Sequence, residues 1–309
     1  MDLSGRRLLV TGGAGFVGSH LADRLFGANE VVVADDRSIG RTDWVPSAAE
    51  FVEIDLRDRA AVADLITDDL DAVFHLAAGK DVNDPNPREQ FEANTTMTYN
   101  VLEAMADAGV TNLAFTSSST VYGEAERPTP ETAALEPISV YGASKVAEES
   151  LCSVYAHSRE FTVWAFRFAN IVGRRLTPGQ VMVDFIQKLQ ADPSTLEILG
   201  DGRQEKSYMH IDDCVDAMCY VVEQTDEPLN VYNLGTESTT AVRTIADIVA
   251  DAMDLDPDYV FTGGDRGWVG DVPKMRLAIE RLVDLGWEPE LSSTEAVERA
   301  TGELVRQYT

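Results

Sequence analysis

Residues 7–20, RLLVTGGAGFVGSH, decide the fold of this chain. The apolar run 8–10 predicts a buried strand, and Gly12, Gly15 and Gly18 follow it where a helical pattern begins. Gly12 permits the tight turn, Gly15 lets a ligand approach the backbone, and Gly18 allows close helix packing. A helix N-terminus at this place presents amide groups to an anion. The spacing therefore predicts a dinucleotide-binding unit.

A carboxylate at the end of the second predicted strand indicates which dinucleotide binds. Asp35, followed by Asp36, ends the apolar stretch 30–35. The Asp35 carboxylate can accept hydrogen bonds from an adenosine ribose, and it would repel a 2′-phosphate. We therefore expect NAD rather than NADP as the cofactor.

Short apolar strands alternate with amphipathic helices through the first half of the chain. This alternation predicts an α/β fold with a Rossmann-type, doubly wound parallel sheet. Residues 37–49 show no regular pattern, so we expect a loop there. The predicted strands are 7–11, 30–35, 50–54, 71–76, 112–117 and 161–168, and the predicted helices lie near 15–27, 58–67, 88–108 and 140–158.

The pattern changes after about residue 170 to shorter elements that Gly and Pro interrupt. We expect an NAD-binding domain over 1–170 that also takes in about 211–253. That insertion shows helical patterns at 211–223 and 241–253, and the strand-like run 230–234 between them can return to the main sheet. Residues 171–309 are expected to form mainly a smaller C-terminal substrate-binding lobe.

Composition narrows the class of protein. The 309 residues include 53 acidic and 25 basic side chains, giving a net charge of −28. Such diffuse acidity disfavours nucleic-acid binding and is typical of halophilic proteins, in which salt screens the self-repulsion. We expect the stability of the fold to decrease at low salt. No apolar run is long enough to cross a membrane, and a strand begins almost at once, so we expect a cytoplasmic location.

Cysteine and histidine usage gives no sign of a metal or disulfide framework. Cys152, Cys214 and Cys219 form no Cys-x-x-Cys pair, and each lies in an apolar helical pattern, so we expect buried, reduced thiols. No histidine stands at ligand spacing from the paired aspartates. We therefore expect no bound metal.

Ser118, Tyr141 and Lys145, further along the chain, are residues of the types that a redox site needs for proton transfer. Tyr141 and Lys145 are four residues apart, which places them on one face of a helix. A lysine ammonium near the phenol stabilises its ionised form and lowers a pKa that is ordinarily about 10. Such a tyrosine can take a proton from a substrate hydroxyl near neutral pH, while Ser118 holds or relays that proton.

The residues carry a clear resemblance to a known family. The chain resembles the extended short-chain dehydrogenase/reductases, and within them the UDP-galactose 4-epimerases, particularly the archaeal-type ones. The likeness covers nearly the whole length. The matching stretches are 11–18, 55–56, HLAAGK at 75–80, Asn94, SSSTVYG at 117–123, YGASK at 141–145 and RFAN at 167–170.

The resemblance implies a nucleotide-sugar epimerase in which NAD takes a hydride from the sugar and returns it to the other face. It implies that Ser118, Tyr141 and Lys145 are catalytic. The cofactor contacts that it implies are Gly12, Gly15, Phe16, Val17, Gly18, Asp35, Asp36, Asp55, Leu56, Leu76, Ala77, Ala78, Lys80, Asn94, Ser117, Tyr141, Lys145 and Phe168. The implied substrate contacts are Lys80, Ser118, Ser119, Tyr141, Asn170, Lys206 and Arg266.

Local departures bear on the reaction and the substrate. Related dehydratases place an Asp-Glu pair where Ser119 and Thr120 stand, and related decarboxylases place a glutamate at Thr120, so the resemblance disfavours both reactions. Lys206 stands where the family commonly has an arginine for the diphosphate. Residues 178–180, Pro-Gly-Gln, replace a common His-Gly-Val, and Met275 aligns only loosely with a position that gates bulky amino-sugars.

We expect UDP-glucose and UDP-galactose as the substrate pair. The alternatives are a UDP-glucuronate or UDP-N-acetylhexosamine 4-epimerase, and a non-catalytic NAD-binding sensor, which would not need all three catalytic residues. The helices near 88–108 and 140–158 resemble those of a four-helix dimer interface in the family. We therefore also expect a homodimer.

Overall fold

A computed structural model describes residues 1–80, 86–267 and 271–309. The first half of the chain alternates strands and helices, and every element predicted there is confirmed to within two residues at each end. The elements are β1 (Arg7–Thr11), α1 (Phe16–Phe26), β2 (Glu30–Asp35), β3 (Glu50–Glu53), α2 (Arg59–Leu65), β4 (Ala72–His75), α3 (Pro87–Ala108), β5 (Asn112–Ser118), α4 (Val140–Ser158) and β6 (Thr162–Phe168).

The second half contains more regular structure than its Gly and Pro residues indicate. The elements are β7 (Asn170–Val172), α5 (Val181–Ala191), β8 (Thr195–Ile198), β9 (Glu205–Lys206), β10 (Tyr208–His210), α6 (Ile211–Gln224), β11 (Leu229–Leu234), β12 (Thr240–Ala241), α7 (Val242–Ala252), β13 (Asp258–Phe261), β14 (Lys274–Met275), α8 (Glu280–Asp284) and α9 (Ser293–Tyr308). The structure confirms the predicted α6, β11 and α7.

The elements of regular structure that were not predicted include two helices and a 3-10 turn. Helix α5 begins two residues after Gly179. Its residues Met182, Phe185, Ile186 and Leu189 are nevertheless buried at helical spacing, so the packing of this face outweighs the neighbouring breakers. Helix α9 was likewise not predicted. In the loop expected over 37–49, residues 42–44 form one turn of 3-10 helix.

The central sheet has seven strands in the order β11-β6-β5-β4-β1-β2-β3. The registered pairs among β1 to β5 are parallel, and β11 rejoins the sheet as the sequence predicts. The strand order reverses between β1 and β4, where Thr11 lies beside His75 at the carboxyl ends of the two strands. Doubly wound sheets bind ligands in the crevice at this switch point.

The core surrounds this sheet. Leu8, Leu9 and Val10 in β1 are completely buried, as expected for a strand that is covered on both faces. Val101, Leu102 and Met105 of α3 are buried in the cluster on one face, together with Cys152 of α4. Each of the three cysteines is buried and carries a free thiol.

The chain divides into two compact units. The first comprises Met1–Gly123, Ala134–Arg167 and Val215–Tyr232, and the second comprises Glu124–Ala133, Phe168–Cys214 and Asn233–Thr309. The second unit contains the parallel pair β7 and β10, the small sheet β12-β9-β14 and the parallel pair β8 and β13. Across the described ranges, no helix is both long and apolar enough to cross a bilayer.

Gly18 in the first turn of α1 is closely packed, whereas Gly27, the residue that ends the helix, is not. A Cβ on Gly18 would lie 2.2 Å from the Gly12 carbonyl oxygen, whereas one on Gly27, whose φ is −64°, would meet no atom within 4 Å. We expect Gly18→Ala to lower the free energy of unfolding by about 1–3 kcal/mol. Gly27→Ala should change it by less than about 1 kcal/mol, in the stabilising direction.

Urea unfolding of the cofactor-free protein, followed by circular dichroism, measures both variants. Equal losses of stability in Gly18→Ala and Gly27→Ala would contradict the close packing of Gly18 against the turn.

Candidate active site

The glycine turn after β1 has the shape that a pyrophosphate requires. Gly12 adopts a positive φ of 64°, and a Cβ there would lie 2.7 Å from the Ala77 backbone nitrogen. Helix α1 begins after Gly15, and in the described part of the chain no side chain caps it and its first turn holds no acidic residue. The amides of that turn, which includes Phe16 and Val17, therefore suit an anionic ligand.

The two acidic residues after β2 differ in their surroundings. The Asp35 carboxylate is only 8% exposed and accepts backbone hydrogen bonds from Ala14 at 3.1 Å and Arg37 at 2.7 Å. Burial raises the pKa of Asp35 above its ordinary value, although both hydrogen bonds act to lower it. Asp36 is exposed and accepts hydrogen bonds from the amide and hydroxyl of Ser38. Asp35 is therefore the fixed carboxylate at this end of the sheet.

Two predicted cofactor contacts, Asp55 and Leu56, lie after β3. Leu56 is buried, and its carbonyl oxygen accepts a hydrogen bond of 2.9 Å from the Asn100 side chain of α3. Asp55 pairs with Arg57 through both carboxylate oxygens. The hydrogen bond from Arg57 lowers the pKa of Asp55, so this carboxylate stays ionised.

Asn94 fastens the loop after β4. Its amide oxygen accepts the Gly79 backbone N–H at 2.8 Å, and its amide nitrogen donates to the Gly79 carbonyl at 2.9 Å and to Ser144 at 3.1 Å. Because Ser144 lies on α4, this side chain joins the loop to the helix that carries Tyr141 and Lys145. Leu76, Ala77 and Ala78 are half-buried in that loop, and Lys80 at its end is exposed.

The structure brings Ser118, Tyr141 and Lys145 together. Ser118 ends β5, and its oxygen accepts hydrogen bonds from the Thr120 amide at 3.2 Å and the Thr120 hydroxyl at 3.0 Å. Interaction with the Ser118 side chain acts to lower the pKa of the Tyr141 phenol. Helix α4, capped at its N-terminus by the Ser139 side chain, carries Tyr141 and Lys145.

Burial works against the predicted activation of Tyr141. The sequence predicted a lowered pKa, but burial raises the pKa of Tyr141 above its ordinary value. Lys145 and the Ser118 hydrogen bond both lower that pKa, and the Glu148 carboxylate raises it further. The predicted effect of Lys145 is confirmed, but the net direction of the Tyr141 pKa shift is reversed by burial and by Glu148, which the sequence analysis did not include.

Sequence analysis missed two glutamates on α4. The Lys145 ammonium, 2% exposed, donates a hydrogen bond of 3.1 Å to the completely buried Glu148. Glu149 receives a bidentate hydrogen bond from Arg167 at 2.9 and 2.6 Å, and the Ser117 hydroxyl donates to it at 2.5 Å. The Ser117 hydroxyl, a predicted cofactor contact, is thus bonded to Glu149. Glutamates are common in this sequence, so neither position stood out.

Ser119 begins a 3-10 turn, Ser119–Tyr122, in the first unit, and the other remaining predicted contacts belong to the second unit. Phe168, at the end of β6, is half-buried. The Asn170 side chain donates to the Ser207 carbonyl at 3.1 Å, next to Lys206. The Lys206 ammonium lies 2.6 Å from Asp271, and Arg266 donates to the Asp271 carbonyl at 2.6 Å. Asp271, which is buried, was not predicted, although it lies in the same short segment as Arg266.

A polar cavity of about 470 Å³ lies in the second unit. Basic and acidic side chains both line it, namely Arg127, Arg203, Lys274, Glu124, Asp201 and Asp265. Arg266 forms an ion pair with Glu124 at its rim. Among residues 1–80, 86–267 and 271–309, no cluster of three potential metal ligands is present.

Comparisons with known proteins agree on one family. Residues 8–235 match the model of the NAD dependent epimerase/dehydratase family. The chain is 33% identical to the UDP-glucose 4-epimerase of Mycolicibacterium smegmatis, over 94% of this chain and 96% of the relative. It is 32% identical to the UDP-glucose 4-epimerase of Streptomyces lividans, over 79% and 80% of the two chains.

Solved structures add two further sugar classes. A crystal structure of a UDP-galactose 4-epimerase superposes with a TM-score of 0.90 and 40% identity, covering 98% of this chain and all of the other. The structure of the UDP-N-acetylglucosamine 4-epimerase of Methanobrevibacter ruminantium superposes with a TM-score of 0.88 at 25% identity. The match covers 98% of this chain and 99% of the other. The structure of MoeE5 in complex with UDP-glucuronic acid and NAD superposes with a TM-score of 0.87 at 28% identity. The match covers 98% of this chain and all of the other.

Replacing Asp35 tests its role as the fixed carboxylate. Asparagine keeps the size of the side chain but offers one acceptor oxygen in place of two and carries no charge. We expect Asp35→Asn to weaken NAD binding about tenfold or more, since a hydrogen bond to a charged group contributes about 1.5–3 kcal/mol. The preference for NAD over NADP should decrease as well, because the repulsion of a 2′-phosphate is lost.

Calorimetric titration of the cofactor-free protein with each dinucleotide measures both effects. Asp36→Asn is the matched control, since Asp36 is exposed and bonded to Ser38. Equal NAD affinities for the wild type and Asp35→Asn would contradict the assignment.

Proposed function

We propose that this chain, which belongs to the NAD dependent epimerase/dehydratase family, interconverts UDP-glucose and UDP-galactose by transient oxidation at the 4-position of the sugar. The curated relatives named as UDP-glucose 4-epimerases support this substrate pair, as does the UDP-galactose 4-epimerase structure. The family is NAD dependent, and the glycine turn and Asp35 of this chain fit that cofactor.

The convergence of Ser118, Tyr141 and Lys145 is the observation that carries the proposal. A hydrogen-bonded serine and tyrosine beside an ammonium make a proton-transfer unit for a sugar hydroxyl. The two positions after Ser118 hold only hydroxyl side chains, and the Thr120 hydroxyl is bonded to Ser118 itself. Neither position supplies a carboxyl group for elimination or decarboxylation, so this unit favours an oxidation that is simply reversed.

The chain's residues share the proton chemistry. NAD, when bound, accepts a hydride from the sugar carbon and returns it. Tyr141 as phenolate takes the proton of the 4-hydroxyl and gives it back when the opposite face is reduced. Ser118 donates a hydrogen bond that stabilises the phenolate, and Lys145 adds the stabilisation of its positive charge.

Lys145 also has donors to offer the cofactor. Its ammonium carries three N–H bonds, one of which goes to Glu148. We propose that the others bind the nicotinamide ribose. Lys80 and Ser119 are proposed to contact the sugar.

In the second unit we assign Asn170, Lys206 and Arg266 to the diphosphate. The Asp271 carboxylate holds the Lys206 ammonium, and the carbonyl of the same residue accepts from Arg266. A shared anchor fixes the two cations relative to each other, which suits a ligand with two linked phosphates.

Two alternative substrates keep specific support. UDP-N-acetylhexosamines are favoured by the likeness to the N-acetylglucosamine epimerase, and UDP-glucuronate by the likeness to MoeE5. Both keep the same proton chemistry and differ only in the sugar substituent. A non-catalytic NAD sensor would have no use for the hydrogen bond between Ser118 and Tyr141.

We also propose a homodimer formed through α3 and α4. These helices pack together in the first unit, and Tyr99 and Val154 on them are 44% and 57% exposed. Paired copies of the two helices would bury both side chains in a four-helix arrangement.

Turnover of UDP-galactose tests the proposed function. We expect the purified protein in molar KCl to convert it to UDP-glucose without net release of NADH. Tyr141→Phe should lose about 10²–10⁴-fold in kcat while retaining NAD, because general acid and base catalysis contributes about that much. Tyr155→Phe, on the same helix and packed against Phe161, should keep the wild-type rate.

Absence of conversion by an NAD-loaded wild type would contradict the hexose assignment. UDP-glucuronate and UDP-N-acetylglucosamine then become the substrates to assay, with the same two variants.

A further inference from the structure

A completely buried glutamate lies beneath the catalytic lysine. Tyr141, Lys145 and Glu148 follow one another at spacings of four and three on α4, so they share one helix face. Glu148 Oε2 accepts a hydrogen bond of 3.1 Å from Lys145 Nζ. Over the described residues, its other oxygen is buried without a partner. A buried carboxylate left half-satisfied is costly, so a functional reason for it has to be sought.

Helix α3 and strand β4 extend this pair into a hydrogen-bonded chain. The Thr98 hydroxyl donates to the same Glu148 oxygen at 2.9 Å and lies 3.1 Å from His75 Nε2. His75 Nδ1 lies 2.7 Å from the Thr11 hydroxyl. All four side chains are buried, so water does not compete for these bonds.

The donor and acceptor properties of these four side chains determine which group donates in each hydrogen bond of the series. Since Thr98 donates to Glu148, it must accept from His75 Nε2, which therefore carries the imidazole proton. Burial lowers the pKa of His75 to about 3, so the ring is neutral and its Nδ1 is an acceptor. Thr11 consequently donates to His75 Nδ1, and its oxygen is left to accept the amides of Leu76 and Ala77.

The chain thus runs from the catalytic lysine to the cofactor loop after β4. We propose that Glu148 is a positioning residue that holds Lys145 and limits how much of its positive charge acts on Tyr141. Hydrogen bonds through Thr98, His75 and Thr11 in turn connect Glu148 to the backbone amides of Leu76 and Ala77. This inference concerns the Ser118-Tyr141-Lys145 site and rests on its proposed role in proton transfer, though its test does not require a sugar substrate.

The sign of the effect follows from the charges that face this site. Glu148 raises the pKa of Tyr141, whereas Lys145 lowers it. Removing the carboxylate charge leaves the Tyr141 phenolate, which itself acts to raise the pKa of Lys145, as the remaining counter-charge of the ammonium, so Lys145 stabilises the phenolate more strongly. The titratable groups around the Lys145–Glu148 pair lie on two elements. Helix α4 itself carries Tyr141, Glu149 and Cys152, and strand β4 carries His75. The side chains that α3 and β5 present to the pair, Thr98 and Phe115, do not titrate.

Two of those neighbours, His75 and Cys152, do not change charge near neutral pH. Burial lowers the pKa of His75 to about 3 and raises the pKa of Cys152 well above its ordinary value. Glu149 is paired with Arg167. Among the charged groups of the chain, Lys145 and Glu148 are therefore the ones on which the titration of Tyr141 reports.

Direct titration of Tyr141 tests the proposal without any sugar substrate. NAD-loaded protein labelled with ¹³C at the tyrosine ring carbon that bears the hydroxyl is titrated by NMR, and Tyr141→Phe identifies the signal among nine tyrosines. We expect Glu148→Gln to lower the Tyr141 midpoint by about one pH unit, the low end of the effect of a nearby charge. The acid limb of the kcat profile should move in the same direction.

Two variants separate charge from packing. Glu148→Asp keeps the charge and should keep the Tyr141 midpoint close to that of the wild type. Glu149→Gln removes a neighbouring charge that is paired with Arg167, and should shift the midpoint much less than Glu148→Gln does.

An unmoved or raised midpoint in Glu148→Gln overturns the proposal, and so does an equal shift in Glu148→Asp, which would show a packing effect. A wild type that turns over no UDP-sugar would instead refute the proposed function. The NMR titration would still decide the role of Glu148.

Discussion

A lysine ammonium enclosed in the protein interior is the constraint on which the active site depends. Lys145 is 2% exposed, and a charge so buried is costly unless a counter-charge with good geometry lies beside it. Glu148 supplies that charge three residues along the same helix. Its own hydrogen bond from Thr98 couples α4 to α3, and the two helices pack against each other in the first unit. The charge that acts on Tyr141 is therefore held in place by Glu148.

The same solution recurs in the second unit. This acidic chain has only five lysines, and Lys206 also meets a buried carboxylate, that of Asp271. In each unit a lysine that we assign to ligand binding is paired with a buried carboxylate of the protein, Lys145 with Glu148 and Lys206 with Asp271. Such pairing pre-orients the ammonium, and it moderates a positive charge that would otherwise bind anions without selectivity.

The sequence was informative where local patterns govern structure. The spacing of Gly12, Gly15 and Gly18 after an apolar run led to the strand, the turn and the helix, and the structure shows each of them. Helix α5 was missed because its neighbouring Pro and Gly received more weight than its own apolar face. The partnership of Lys206 with Asp271 spans 65 residues, and no local pattern encodes such a contact.

The electrostatic state of Tyr141 shows the same limit more sharply. The spacing of four residues correctly placed Lys145 beside it, but the sign of the pKa shift depends on burial and on Glu148, which only the packed structure reveals.

The most direct test of the central claim follows the fate of one hydrogen. UDP-glucose carrying deuterium at C4 is incubated with the NAD-loaded protein, and the UDP-galactose formed is analysed by mass spectrometry and NMR. Hydride transfer to the cofactor and back, with Tyr141 handling only the hydroxyl proton, predicts that the product keeps its deuterium at C4. Exchange of that deuterium with solvent would contradict the account, because it would require the carbon-bound hydrogen to leave as a proton.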